Sequence, residues 1–170
     1  IGYSVQMNLS GNGWGEPDAR GQAVRELNRN LDFRLAVTSA IDREHLGQSL
    51  VKGPFTTPYP GGLYAGTNFH DQHSTAYYPY DPATAQALPA KAGLVDTDGN
   101  GFVNFPAETP GVGGDDVSVT LVANSDYQTE KNLAEGVVAA MEEIGIRVLV
   151  NLVSGSNMEA VQNSGKFDWH

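Results

Sequence analysis

The sequence predicts an α/β fold with a mixed, partly parallel sheet and flanking helices. Two runs, 117–121 and 146–152, alternate apolar and polar residues as strands do. Between them, the stretch 126–144 places its apolar residues at helical spacing. Because strand, helix and strand follow one another through short turns, residues 117–152 predict a βαβ unit with parallel strands and a right-handed crossover.

The first third of the chain predicts one strand and a series of short helices. Tyr3, Val5, Met7 and Leu9 alternate onto one face of the strand, which ends in a glycine-rich loop over 11–17. A short helix is expected over 23–27. Two more helices are expected to begin after polar residues that favour the N-cap position, Asn30 and Asp42.

The middle of the chain has little periodicity. Residues 55–80 contain repeated Pro and Gly and many Tyr, which predicts an extended arm without regular structure. Asp81 and Pro82 are typical of an N-cap and first helical residue, and Gly93 is placed to end that helix. Pro89 lies inside it and predicts a kink or an early stop, because proline lacks the N–H of the helical hydrogen bond.

Two further helix ends are predicted near the βαβ unit. Ser125 or Asp126 is expected to cap the long helix. Ser156 with Glu159 three residues later fits a capping box for a last helix, which Gly165 ends. Together these elements fit one core over residues 1–170, and this length suits a single folded unit.

Composition excludes several function classes. The 10 Lys and Arg against 20 Asp and Glu give a formal charge of −10, so the sequence lacks a basic surface for nucleic acid or anionic lipid. We therefore expect no nucleic-acid partner and no direct membrane insertion. The absence of Cys excludes disulfides, thiolate metal sites and a Cys nucleophile.

The segment 96–101 has the first half of a calcium-binding loop. Asp96, Asp98 and Asn100 supply oxygen at alternate positions, and Gly101 follows. The bidentate acid that should complete the loop falls at Ala107. Asp, Asn and Gly are also the residues that tight turns select, and this interpretation is favoured over a calcium site.

The glycine-rich loop over 11–15 follows a strand but does not fit a dinucleotide site. The third glycine of that motif falls at Glu16, and Pro17 follows instead of a helix start. Trp14 in this loop has two interpretations of equal weight: it folds back onto the core, or it is presented to a ligand.

No catalytic constellation can be argued from spacing. His70 and His73 stand three apart in an irregular segment, where a zinc site is less favoured than an ordinary surface pair. No nucleophile elbow occurs, and carboxylates are too numerous for any pair to be singled out. Catalytic residues are therefore not assigned.

Four segments in order resemble the peptide, nickel and oligosaccharide class of bacterial extracellular solute-binding proteins, which feed ABC importers. The segments that carry the resemblance are 31–44, with its Ala-Ile-Asp-Arg ending, 80–102, 133–148 and 165–168. The resemblance implies one lobe of a two-lobed receptor that closes on its ligand. It implies a non-enzymatic, monomeric protein outside the cytoplasmic membrane that captures oligopeptides or dipeptides and delivers them to a permease.

The same resemblance implies that the chain is part of a longer receptor, with a signal peptide expected upstream. It places the last helix toward the cleft, so Glu159 and Gln162 become candidate ligand contacts with Trp14. A solvated helix face is the favoured alternative for the two helix residues. Two other functions remain open at this point: a carboxylate-based hydrolase domain and a calcium-stabilised interaction module.

Overall fold

The computed structural model describes residues 3–11, 14–15, 17–51, 67–68, 71, 73 and 76–170. Two strands and six α-helices lie within these residues, and a π-helical turn over Gly47–Val51 follows the third helix. The helices are α1 (Ala19–Arg29), α2 (Leu31–Ala40), α3 (Arg43–Leu46), α4 (Pro82–Lys91), α5 (Gln128–Glu142) and α6 (Gly155–Ser164), and the strands are β1 (Ser118–Asn124) and β2 (Arg147–Val153).

The sheet is built on a βαβ unit. β1 and β2 pair in parallel, in a register that runs from Ser118 opposite Arg147 to Asn124 opposite Val153. Helix α5 connects the two strands and packs against both of them. This arrangement is the α/β class that the alternating runs predict, and the parallel pairing follows from the helical crossover.

Two extended segments continue the sheet on the other side of β1. Trp169 bridges Leu121 in parallel and Met7 in antiparallel orientation. Gln6 and His170 exchange two backbone hydrogen bonds of 2.7 and 3.0 Å. The sheet is therefore mixed, in the order β2, β1, the segment around Trp169 and the segment around Met7.

The predicted strand over 3–9 forms only this single bridge, and its burial differs from the prediction. Val5 and Met7 pack against the core, but Leu9 and Tyr3 are half exposed. Asn8 is the buried residue of the segment, at 3% exposure. A buried side chain on the other face of an alternating segment means that the segment is covered on both sides.

The core lies between the sheet and the helices. Its largest fully buried side chains are Trp169, Phe33, Leu94, Met141 and Ile146. Helices α2 and α4 form its most extensive helix pair, and α5 packs against β1, β2 and α2. Burial of such side chains contributes about 1.5–3 kcal/mol each.

Three of the predicted caps are confirmed. The side chains of Asn30, Asp42 and Asp81 accept hydrogen bonds from the backbone N–H three residues later. Helix α1 is longer than the predicted 23–27, because Asp18 caps it through the N–H of Gly21 at 2.6 Å. A cap satisfies a backbone donor that the helix leaves unpaired.

The predicted caps of α5 and α6 are wrong. Tyr127 stands at the N-cap of α5 without a side-chain bond, and the carboxylate of Asp126 accepts instead from the N–H of Gly155 at 2.9 Å. Ser156 lies inside the first turn of α6, where its hydroxyl pairs with that of Ser154. Asp126 therefore connects the two loops at one end of the sheet, which local spacing does not reveal.

Helix α4 passes through Pro89 to Lys91, so the predicted early stop is wrong. Pro89 lies in the last turn, where only one intrahelical bond is lost, and its ring is buried. The helix ends before Gly93, which has the left-handed φ of +84° that the sequence predicts for this position.

Among the described residues, strand β2 pairs only with β1, and its apolar residues are largely exposed. Alternation predicts that Val150 and Leu152 face the core, but both are exposed, as is Leu149 on the opposite face. Val148 is the one buried residue of the strand, at 7% exposure.

The extended arm predicted over 55–80 lies largely outside the described residues. Of its residues, 76–80 have no regular secondary structure and are exposed. Among the described parts of the chain, no helix has the length and apolarity needed to cross a membrane.

Candidate functional site

Trp14 lies on the turn that ends α6. Its indole N–H donates to the carbonyl of Asn163 at 3.2 Å, and its ring meets the ring of Phe167 edge to face, with centroids 6.0 Å apart. The hydroxyl of Ser10 donates to the carbonyl of Trp14 and fixes the loop from the other side. Even so, 43% of Trp14 is exposed. Both interpretations of Trp14 therefore hold in part: one part of the ring packs on the protein, and another part is accessible to a ligand.

Gly165 allows this contact. It stands at the C-cap of α6 with φ +66°, a conformation that residues with a side chain rarely adopt. A Cβ at this position would overlap the Trp14 ring. The same glycine thus ends the helix and leaves room for the indole.

His170 and Gln162 adjoin the same turn. The imidazole of His170 lies edge to face on Phe167, with centroids 4.6 Å apart. The side-chain amide nitrogen of Gln162 lies 3.3 Å from Nδ1 of His170. Burial lowers the pKa of His170 below its usual 6.5, which keeps the ring neutral at pH 7. We call Trp14, Gln162, Phe167 and His170, with Gly165 between them, the aromatic patch.

A buried polar network supports this patch from below. The amide of Asn8 donates to the carbonyls of Gly165 and Phe167 at 3.0 and 3.1 Å. The amide of Asn28 donates to the carbonyl of Asn8 at 3.0 Å and accepts the indole N–H of Trp169 at 2.9 Å. Because buried amides are costly when unpaired, these bonds fix the backbone on which the patch stands.

Asp168 joins the patch to helix α1 and strand β1. Its Oδ2 accepts from the guanidinium of Arg20 at 2.6 Å and from the N–H of Thr120 at 2.8 Å. The carboxylate is 1% exposed, and its Oδ1 has no hydrogen-bond partner among the described residues. An acid held by an arginine and a strand N–H acts as a structural tie, because its charge is neutralised in place.

Two of the three sequence-predicted ligand residues therefore come together. Trp14 and Gln162 both belong to the aromatic patch, although 148 positions separate them. Glu159 lies on α6 one turn before Gln162 and is exposed. Spacing along the sequence does not link Phe167 and His170 to Trp14. The only signal that the sequence offers for them is an aromatic residue and an imidazole after a helix-ending glycine.

The acidic turn over 96–101 is closed by its own hydrogen bonds. Asp96 accepts from the N–H groups of Gly99 and Gly101 at 2.7 and 2.9 Å, and these bonds, that of Gly101 first, hold the pKa of Asp96 below its usual value. Asn100 donates to Asp98 at 3.1 Å and to Asp116 at 3.0 Å. These are the bonds of an Asx-rich turn.

Arg147 ties this turn to the sheet. Its guanidinium donates to Asp116 at 2.9 Å and lies 3.9 Å from the centre of the Phe102 ring. The described residues contain no group of three or more His, Asp or Glu side chains arranged to hold a metal ion. The calcium hypothesis for Asp96, Asp98 and Asn100 remains untested, and so does the less favoured zinc interpretation of His70 and His73, because His70 lies outside the described residues.

A shallow depression among the described residues lies where α2, α4 and the end of α5 meet, with Ala40, Ala85 and Ile144 in its lining, and it encloses no volume that could hold a small molecule. Small-molecule pockets usually measure about 300–1,000 Å³ and contain convergent polar groups. The aromatic patch, an open surface with two rings and an amide, is therefore the better candidate for ligand contact.

Comparison with solved structures places this fold among the two-lobed periplasmic binding proteins. The periplasmic binding protein MelB of Agrobacterium fabrum C58, solved in complex with stachyose, superposes with a TM-score of 0.90 at 55% identity, over 97% of this chain and 24% of that chain. An oligopeptide-binding protein OppA superposes with a TM-score of 0.77 at 22% identity, which shows the fold alone. The chain has the fold of part of such a receptor.

Sequence comparison assigns the family. The profile of the bacterial extracellular solute-binding proteins, family 5 Middle, matches residues 2–170, and the chain belongs to this family. It is 60% identical to a periplasmic alpha-galactoside-binding protein of Rhizobium meliloti (strain 1021) over 169 residues. It is 25% identical to the oligopeptide-binding protein AppA of Bacillus subtilis (strain 168) over 157 residues.

The chain spans about a quarter of the length of these relatives: 24% of the first and 26% of the second. The two alignments include 99% and 92% of the residues of this chain. The family is one of solute-binding receptors and not of enzymes, as the resemblance in the sequence implies.

Proposed function

We propose that this chain is part of the extracytoplasmic receptor of an ABC importer and that the receptor binds oligosaccharides with α-galactoside units. The observation that carries the proposal is the exposed part of Trp14 beside the polar groups of Gln162 and His170. The 60% identity to an alpha-galactoside-binding protein supports this choice of substrate.

Sugars need the combination that the aromatic patch offers. A pyranose ring presents an apolar C–H face and a rim of hydroxyl groups, so a large aromatic ring takes the face and nearby amide or imidazole groups take the rim. A peptide would instead need groups for its charged ends. Among the described residues, the patch itself contains no side chain that is charged at pH 7, which favours a neutral solute over a peptide.

Glu159 and Gln162 have separate roles in this proposal. Gln162 lies in the patch and contacts the solute through its amide. Glu159, one turn earlier on α6, accepts from hydroxyl groups at the edge of the site. The receptor acts as a monomer outside the cytoplasmic membrane, with its signal peptide upstream, and delivers its solute to the permease.

Calorimetry on the full-length receptor tests this proposal. We expect stachyose to bind and trialanine not to bind. Trp14→Ala should weaken stachyose binding at least about tenfold, the loss typical of an aromatic anchor. Tyr127→Ala is the matched control, because Tyr127 is an aromatic residue that is 60% exposed at the start of α5.

Two results would contradict the proposal. If the receptor bound trialanine and did not bind stachyose, its substrates would be peptides, as the family resemblance implies. If wild type and Trp14→Ala bound stachyose equally well, the aromatic patch would not be part of the binding site, although the substrate class would still be supported.

A further inference from the structure

His170 is the second accessible ring of the aromatic patch. It is partly buried, and the buried ring of Phe167 separates it from Trp14 by two edge-to-face contacts of 4.6 and 6.0 Å between centroids. The two accessible rings therefore flank a buried one.

The backbone of His170 is held on both sides. Its N–H and carbonyl pair with Gln6 at 3.0 and 2.7 Å, and the neighbouring Trp169 is fixed by Asn28 and by β1. The imidazole therefore loses little additional freedom on contact with a ligand, since its chain is already ordered in the sheet.

Gln162 determines which imidazole nitrogen carries the proton. With the Gln162 amide oriented so that its nitrogen lies 3.3 Å from Nδ1, that nitrogen donates to Nδ1, which is then the unprotonated nitrogen. Burial of the ring keeps it neutral at pH 7, and the proton is therefore on Nε2.

The Nε2–H group is the unused donor of the patch. Within the described residues, the imidazole makes no hydrogen bond other than that with Gln162. The carbonyl oxygen of the Gln162 side chain likewise makes none among the residues that the structure describes. The pair thus presents one donor and one acceptor, side by side, next to aromatic surface.

We infer that His170 is a further ligand-binding residue, which donates its Nε2–H to a hydroxyl or ring oxygen of the solute while Gln162 fixes the tautomer and accepts from a neighbouring hydroxyl. This inference rests on the proposed function, because it takes a neutral sugar as the ligand. It adds a contact that the spacing of the sequence does not indicate.

Calorimetry with stachyose on the full-length receptor tests the inference. His170→Phe keeps a ring against Phe167 and removes the donor, and we expect it to weaken stachyose binding about 3- to 10-fold, the loss of one neutral hydrogen bond. His170→Gln retains a donor and should recover part of the affinity. His45→Phe, on the exposed helix α3, is the control for loss of an imidazole and should bind as wild type does.

A measurement on the wild type avoids dependence on variants that fail to fold. The ¹⁵N resonances of His170 should report a proton on Nε2 in the free receptor, and the Nε2–H signal should shift when stachyose is added. Stachyose binding with no shift of this signal and full affinity in His170→Phe would overturn the inference alone. No stachyose binding by the wild-type receptor would overturn the proposed function and with it this contact.

Discussion

The indole N–H of Trp169 donates to the side-chain carbonyl of Asn28 at 2.9 Å, and both side chains are fully buried. The pair connects helix α1 to the extended segment that lies between β1 and the start of the chain. The other end of Asn28 donates to the backbone of Asn8, which in turn holds the turn under Trp14. The support of the candidate site is therefore part of the core.

Asn28→Ala should destabilise the protein. It leaves the Trp169 indole N–H and the Asn8 carbonyl buried without partners, and we expect a loss of about 2–4 kcal/mol in the free energy of unfolding. Urea denaturation followed by far-UV circular dichroism measures the change. Asn157→Ala, at an exposed position on α6, is the control and should change stability by less than about 0.5 kcal/mol. Equal stability of the two variants would mean that the buried network contributes nothing.

Gly165→Ala should displace Trp14 in addition to straining the backbone. The new methyl group would overlap the indole ring, so we expect a change in tryptophan fluorescence and weaker stachyose binding by the full-length receptor. Gly99→Ala is a matched control: its φ of +77° imposes similar backbone strain, of about 1 kcal/mol, but a Cβ there meets nothing within 4 Å. If both variants lose stability equally and retain the wild-type fluorescence, the contact between Gly165 and Trp14 is not as described.

Asp116 should make stability depend on pH below neutrality. The Asn100 amide and then the Arg147 guanidinium hold the pKa of Asp116 below its usual 3.8. A lowered folded-state pKa contributes stability that is fully present above the unfolded value and is lost as pH falls through the folded one. The urea midpoint should therefore fall more steeply below about pH 4 in wild type than in Asp116→Asn. Parallel profiles would contradict this assignment, and high salt should reduce the difference because Arg147 is 43% exposed.

The acidic turn should be insensitive to calcium. The carboxylate of Asp96 already accepts two backbone N–H groups, and the side-chain oxygen of Asn100 accepts the N–H of Phe102 at 2.8 Å. We expect the melting temperature to be the same in calcium and in a chelator. A rise in melting temperature with calcium in wild type that is absent in Asp96→Asn would restore the calcium hypothesis for Asp96, Asp98 and Asn100.

The sequence predicts the architecture well where periodicity and caps are local. The alternation around β1, the helical spacing of α5 and the caps at Asn30, Asp42 and Asp81 lead directly to the observed elements. The α/β class and the family both follow from features within short windows of the chain.

Prediction fails where tertiary contacts compete with local rules. Asp126 is a good N-cap by composition, yet it accepts from Gly155, because two loops meet at that end of the sheet. Val150 and Leu152 alternate as core residues do but are exposed. Both outcomes depend on which segments become neighbours, and spacing along the chain does not contain that information.

The candidate site is predictable only in part for the same reason. Trp14 could be selected because a large aromatic residue in a glycine loop is unusual, and Gln162 because the family resemblance places α6 near the cleft. The turn at Gly165 brings Trp14 and Gln162 close together. His170 joins the patch because the segment that follows this turn pairs with Gln6. Glu159 contributes no described contact to the patch and stays a prediction.

The aromatic patch is the proposed binding surface for a neutral sugar, and a crystal structure of the full-length receptor with stachyose tests this proposal. We expect a pyranose ring stacked within about 4 Å of Trp14 and a hydroxyl group hydrogen-bonded to Gln162 or His170. A sugar bound elsewhere, with all three side chains free of it, would contradict the claim.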